Sequence, residues 1–325
     1  MDRRQLLAGM SALAATPAFA QDDIPRWSSP VIDMHFHTRG TVEQNIAHQI
    51  GAGITAVSLI SLPPSPLDIA DIYAKCRAQN AAMFPVWFGA TDLTTPGFEA
   101  RLTAQVKAGA KGFGEVKMPV DADGPQMRRV YALAADLGVP VLVHFQDPIG
   151  DSQSFFNRGL RRFAPVLQAN PRTKFIAHAN SFWANVSASN DDTATYPTGP
   201  VVRGGISDKL LSDYPNMFAD LSATSCNTFL SRDAAFSTDF LKRHQDKLHF
   251  GSDCFCEDGR GGSAAQAGGG RAAVGRGAPA TGAVTGLRGK CLARENLGLV
   301  TRLTTPEIFR KMAWTNAHRL IGLPA

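Results

Sequence analysis

Eight short apolar stretches recur along the chain, most of them followed by a helical pattern, and this rhythm limits the possible folds more than any other feature. The stretches are 31–37, 54–60, 84–89, 111–117, 139–145, 173–179, 217–222 and 247–253. Helical periodicity fills 42–52, 67–82, 98–108, 127–137, 157–168, 206–211 and 233–244, with Gly53 and Gly138 as stops. A closing helix runs over 306–320, and Pro306 suits its first turn. Strands alternating with helices predict an α/β fold with a parallel sheet, and eight repeats predict a (β/α)8 TIM barrel in one domain, 26–325. A doubly wound open sheet is the rival. No Gly-x-Gly-x-x-Gly follows the first stretch, and polar side chains end several different stretches, which favours the barrel, where strand C-termini share one face.

The first stretch carries Asp33-Met34-His35-Phe36-His37. Alternation along a strand points Asp33, His35 and His37 one way and Ile32, Met34 and Phe36 the other. Two imidazoles two residues apart can hold one divalent cation from the same side. A His-x-His also arises by chance, so the weight falls on what ends the other strands: Glu115 on the fourth, His144 on the fifth, His178 on the sixth and Asp253 on the eighth. With His35 and His37 these make six metal-ligand types in barrel order. His48, His244, His249 and His318 lie in helices or before a strand's end and receive no chemistry.

The rhythm fails over 257–290, where Gly, Ala and Arg dominate without periodicity. Such a segment buries little apolar surface, so a flexible insertion after strand eight is expected, with a lid over the site as its functional reading. It also holds Arg260, Arg271, Arg276, Arg288 and Lys290, which together match the net charge of +5. The remainder is near neutral, so a nucleic-acid partner is not expected. The five cysteines, Cys76, Cys226, Cys254, Cys256 and Cys291, read first as small buried thiols. A bridge among Cys254, Cys256 and Cys291, or a Cys-x-Cys metal site, stays open.

Residues 1–20 are set apart from the fold. Arg3-Arg4 in a charged start, an apolar run over 6–15 and Ala18-Phe19-Ala20 have the three-part layout of an export signal. Adjacent arginines resemble a twin-arginine signal, although Asp2 and Leu6 depart from the usual pattern. Periplasmic or secreted protein is expected, by that route or the general secretory one, without a stable membrane anchor.

The strand-end residues, in their settings Gly114-Glu115-Val116, Val143-His144-Phe145, Ile176-Ala177-His178 and Phe250-Gly251-Ser252-Asp253, resemble the amidohydrolase superfamily, specifically its amidohydrolase-related branch. Tyr196-Pro197-x-Gly199-Pro200 and 217–222 resemble a bacterial subgroup of that branch. The resemblance implies that His35, His37 and Asp253 bind one metal, and that His144 and His178 bind a second or line the site. Glu115 occupies the place of the bridging ligand, as in TatD-like nucleases, with a modified Lys117 as the alternative bridge. The metal would acidify a water, Asp253 would take its proton, and His178 would steady the oxyanion if one ion is present. Zinc suits the His-rich set, one or two ions, with Mn or Fe as alternatives. Trp183 and Arg203 after strand six, and Asn227 and Arg232 after strand seven, are candidate contacts for a small-molecule substrate. The expected activity is hydrolysis of an amide, lactone or ester. The alternatives are non-oxidative decarboxylation of an aromatic acid, and phosphoester or nucleic-acid hydrolysis.

Overall fold

The computed structural model describes residues 23–63, 65, 68–262 and 285–323. The N-terminal export pattern lies outside them, as does 263–284 of the Gly/Ala-rich stretch. The elements alternate as the rhythm predicts: β1 Ile32–His37, α1 Val42–Ala52, β2 Ala56–Ile60, α2 Ile69–Gln79, β3 Val86–Trp87, α3 Phe98–Lys107, β4 Phe113–Val116, α4 Pro125–Leu137, β5 Val141–His144, α5 Ala164–Ala169 and β6 Phe175–His178. There follow α6 Asn180–Ala184, α7 Ile206–Asp213, β7 Met217–Asp220, α8 Ala223–Arg232, α9 Ala234–Arg243, β8 Leu248–His249, α10 Leu292–Leu303, α11 Pro306–Arg310 and α12 Asn316–Ile321. Local chemistry sets the helix ends. Thr41, Asp68, Asp233 and Thr305 cap N-termini with their side chains, and Gly53 and Gly138 close helices in the left-handed region at φ 69°.

All strand pairs are parallel, β1-β2-β3 in one ladder and β4-β5-β6-β7-β8 in the other. Backbone hydrogen bonds join the two ladders at both seams. Between β3 and β4, Lys111 N donates to Trp87 O and Gly114 N to Gly89 O. Between β1 and the chain beyond β8, Met34 N donates to Phe250 O at 3.0 Å and Asp253 N to His35 O at 2.8 Å. The sheet thus comes round on itself as a (β/α)8 barrel.

Leu142 and Ile176 are register partners and share one apolar cluster with Ile32, Met34, Val86 and Phe88, into which Ala317 and Leu320 of α12 also pack. A second, larger cluster holds Val141, Val143, Phe175 and Ala177 together with residues of α4, α7 and α9. The alternation expected along β1 does not hold throughout. The β1–β2 register shifts between Asp33 and Phe36. Ile32 and Met34 join the Leu142 cluster, whereas Phe36 packs with Val57, Leu59 and Ile72. The helices α8 and α10 are absent from the sequence reading, although both are amphipathic: α8 buries Cys226, Phe229 and Leu230, and α10 buries Leu292, Leu297 and Val300.

Candidate active site

Two-residue periodicity brings the strand-end residues together. One step beyond the Leu142–Ile176 pair, His144 and His178 are register partners at the ends of β5 and β6. His35 and His37 end β1, Glu115 lies in β4 and Asp253 follows β8. All six meet at one rim, and all but Asp253 are buried. Asp253 adopts φ 46°, a left-handed backbone that Asp tolerates better than most residues.

Glu115 stands among the four imidazoles. Its Oε2 lies 3.2 Å from His37 Nε2 and 3.8 Å from His35 Nε2. Its Oε1 lies 3.4 Å from His178 Nε2 and bonds to His144 Nδ1. Asp253 closes the ring, with Oδ1 3.3 Å from His37 Nε2 and Oδ2 3.7 Å from His178 Nε2. Behind them Asp220, at the end of β7, accepts from His35 Nδ1 at 2.6 Å and from His178 Nδ1 at 3.0 Å, and Ser222 Oγ donates to it at 2.8 Å. With both Nδ1 atoms committed to a carboxylate, both Nε2 atoms face the cluster.

Burial opposes charge on His35, Glu115 and His144, and their neighbours decide how far each moves. For His35, Asp220 first, then Asp253 and Glu115, outweigh burial and raise it to about 10. Burial works against the Glu115 carboxylate too, yet His144, His37 and His178 hold it well below the usual range. His144 goes the other way: burial, then the Lys117 ammonium, push it down to about 4.

The donors fit a divalent cation. His35 Nε2 is buried without a hydrogen-bond partner. His35, His37 and Glu115 offer ligand atoms within 4.8 Å of one another, as do Glu115, His144 and His178, and also His35, His178 and Asp253. Imidazole nitrogen with carboxylate oxygen is a donor set for zinc, and also for manganese or iron.

A cavity of about 740 Å³ opens onto the cluster, with His144, His178 and Asp253 on its floor and Lys117, Gln146 and Tyr196 among its walls. Lys117 is the only lysine or arginine among the described residues that line it, and its Nζ lies 5.2 Å from the Phe156 ring centroid. Trp183, Arg203, Asn227 and Arg232 do not line this cavity. Trp183 is buried and stacks on Phe229 at 5.2 Å. Asn227 donates to Asn296 at 2.8 Å, Arg203 pairs with Asp239 at the surface, and Arg232 donates to Pro197 O. Asn227 and Arg232 belong to α8, where the sequence suggested a loop. Asp220, Gln146 and Tyr196 were not assigned site roles from sequence. Asp220 and Tyr196 sit within the two motifs that suggested a bacterial subgroup, and that was their only signal.

The amidohydrolase family model matches residues 62–323. The chain belongs to the amidohydrolase family. The match takes in Glu115, His144, His178 and Asp253 but begins after β1, so the three-dimensional cluster is what joins His35 and His37 to the family's part of the chain. No curated protein is significantly similar in sequence. Among solved structures, the chain is similar to a probable 2-pyrone-4,6-dicarboxylic acid hydrolase from Acinetobacter baumannii, at 12% identity and a TM-score of 0.54, covering 90% of this chain and 99% of that one. It is similar to a 2,6-dihydroxybenzoate decarboxylase at 15% identity and a TM-score of 0.52, covering 91% and 100%. It is also similar to an amidohydrolase from Burkholderia multivorans at 14% identity and a TM-score of 0.53, covering 91% and 100%. These likenesses carry the fold. The chain is an amidohydrolase-type enzyme of a metal-dependent family whose members and neighbours include hydrolases and a decarboxylase.

Proposed function

We propose that the rim is a two-metal hydrolytic centre that cleaves an ester, lactone or amide bond of a small molecule. One observation carries the reading: the two oxygens of Glu115 face different imidazole pairs, Oε2 towards His35 and His37 and Oε1 towards His144 and His178. A carboxylate so shared is suited to join two ions, zinc first by its donors. Bound there, a divalent cation would supply Lewis acidity, lowering the pKa of a coordinated water towards about 7 and polarising the bond under attack. The chain's own residues do the rest. Asp253, which lines the cavity, is placed to take a water's proton and return it to the leaving group. Asp220 and Ser222 keep His178 oriented, and Lys117 draws an anionic group of the substrate to the cavity wall. The N-terminal pattern supports work outside the cytoplasm, which cell fractionation would check.

The test is metal content and hydrolysis of a lactone and ester panel, for the wild type and Glu115→Gln. Loss of bound metal together with hydrolysis in the variant supports the two-metal reading. Unchanged metal content would remove it. A second reading, decarboxylation of an aromatic acid with one ion, is favoured by the trio His35, His178 and Asp253, which could hold an ion without Glu115. Release of carbon dioxide from hydroxybenzoates, with metal content insensitive to Glu115→Gln, would select it.

A further inference from the structure

A second buried cluster lies behind the rim. His48 of α1, Cys254 and Cys256 in the chain after β8, and Cys291 at the start of α10 each place one ligand atom within 4.8 Å of the others. Cys254 Sγ is 3.4 Å from Cys256 Sγ and 3.8 Å from Cys291 Sγ. His48 is fully buried, and among the described residues its ring nitrogens have no side-chain partner besides the sulfurs of Cys254 and Cys256 that it faces. We propose that His48, Cys254, Cys256 and Cys291 form a closed structural site for a single zinc ion.

The donor set and its spacing argue for zinc. Three thiolates and an imidazole form a standard four-coordinate structural set, with no position left for substrate. A tetrahedron with zinc–sulfur bonds of about 2.3 Å separates its sulfurs by about 3.8 Å, the distance found between Cys254 and Cys291. A disulfide would use two of the three thiols and leave the third beside a buried imidazole that faces sulfur. Leaving such polar groups uncompensated is costly in a dry interior.

The surrounding backbone is shaped to hold this cluster. A Cβ on Gly51 would sit 1.8 Å from Asp258 O, and one on Gly259 would sit 2.2 Å from His48 O. The two glycines let the chain after β8 lie flush on α1, which is what brings His48 to the cysteines. Gly262 N donates to Gly289 O at 2.8 Å and Gly261 bridges Lys290, so the flanks on either side of 263–284 are drawn together just before Cys291.

The site would act on the rim through two links. Cys254 directly follows Asp253, so fixing its sulfur fixes the left-handed backbone that aims Asp253 at His37. Arg39 donates to His37 O at 2.7 Å and also to Cys254 O, tying the ends of β1 and β8 to the same point. The ion would thus brace both ligand-bearing strand ends while making no contact with substrate.

Zinc-edge X-ray absorption on the full chain, purified without chelator, tests the assignment. The rim offers only nitrogen and oxygen, so sulfur scattering at about 2.3 Å from zinc can arise only here, whatever the fate of the two-metal reading. The expected result is a sulfur contribution of three per chain, averaged over all the zinc that the chain binds. On cobalt exchange a thiolate-to-cobalt charge-transfer band should appear, persist in His144→Ala, and disappear in Cys256→Ser with the loss of one ion per chain. Cys291→His, which keeps four ligands, should retain the ion with the sulfur contribution reduced from three to two per chain. Zinc bound only by nitrogen and oxygen, a disulfide among the three cysteines, or iron with sulfide in place of zinc would overturn the proposal. The wild-type spectrum decides even if a variant fails to fold.

Discussion

His35 Nδ1 lies 2.6 Å from Oδ2 of Asp220, a residue 185 positions further along the chain. The other oxygen of that carboxylate accepts from His178 Nδ1, so one side chain orients an imidazole from each side of the rim. Such outer partners of metal-ligating histidines typically govern affinity by about 10–100-fold. Asp220→Asn should therefore weaken metal binding by about that factor at near-constant fold stability. Competition with a chelator measures it, with circular dichroism as the control. An unchanged affinity would reduce Asp220 to a packing role.

Trp183, which the structure places in α6 rather than in a loop, tests whether a conspicuous aromatic after β6 serves substrate or core. Its indole is buried against Phe182, Phe229 and Phe240. Trp183→Ala should cost about 3–5 kcal/mol of stability, the usual range for removing a large buried aromatic, read by denaturant unfolding. A stable variant with a raised KM would instead put Trp183 at the substrate.

Acid sensitivity away from the rim should come from Asp208 of α7. Its Oδ1 lies 2.6 Å from Arg243 Nη1 and 2.7 Å from His244 Nε2, and its Oδ2 lies 3.0 Å from Arg243 Nη2. Burial opposes the charge, but His244 and Arg243 outweigh it and depress the carboxyl from 3.8 to about 2. A depressed carboxyl contributes stability that is present above its unfolded value and lost as pH falls through its folded value. Asp208 is largely buried, and its contribution is on the order of 1–2 kcal/mol at neutral pH. Asp208→Asn should lose that amount at pH 7 and converge on the wild type only as pH falls below about 2, by parallel urea titrations.

Gly259 should tolerate no side chain. It adopts φ 73°, and an added Cβ would meet His48 O and, at 2.5 Å, Ala52 N. Gly259→Ala should destabilise by more than about 1 kcal/mol and loosen the packing of the chain after β8 on α1. Thermal unfolding and cysteine accessibility to a thiol reagent read the two effects. A neutral substitution would mean that this segment shifts away from α1 without cost.

The parts of the site that are legible in sequence are those set by short-range periodicity. His144, two residues beyond a buried Leu142, and His178, two beyond a buried Ile176, can be placed on one face from their own strands alone. Glu115 and Asp253 follow because a barrel collects strand ends at one rim. Even there local reasoning has a limit: the register shift in β1, which separates Met34 from Phe36, depends on how β2 lies alongside.

By itself, the sequence determined the alternation of strands and helices, the barrel that eight repeats imply, and the six ligand-type residues at its rim, because each depends on neighbours a few positions apart. Tertiary structure alone decided that Asp220 orients two histidines, that Trp183 is core, and that His48, passed over as a helical histidine, meets three cysteines from two other segments. Those contacts join residues distant in the chain, and only closure of the barrel and the docking of α1 and α10 bring them within bonding distance.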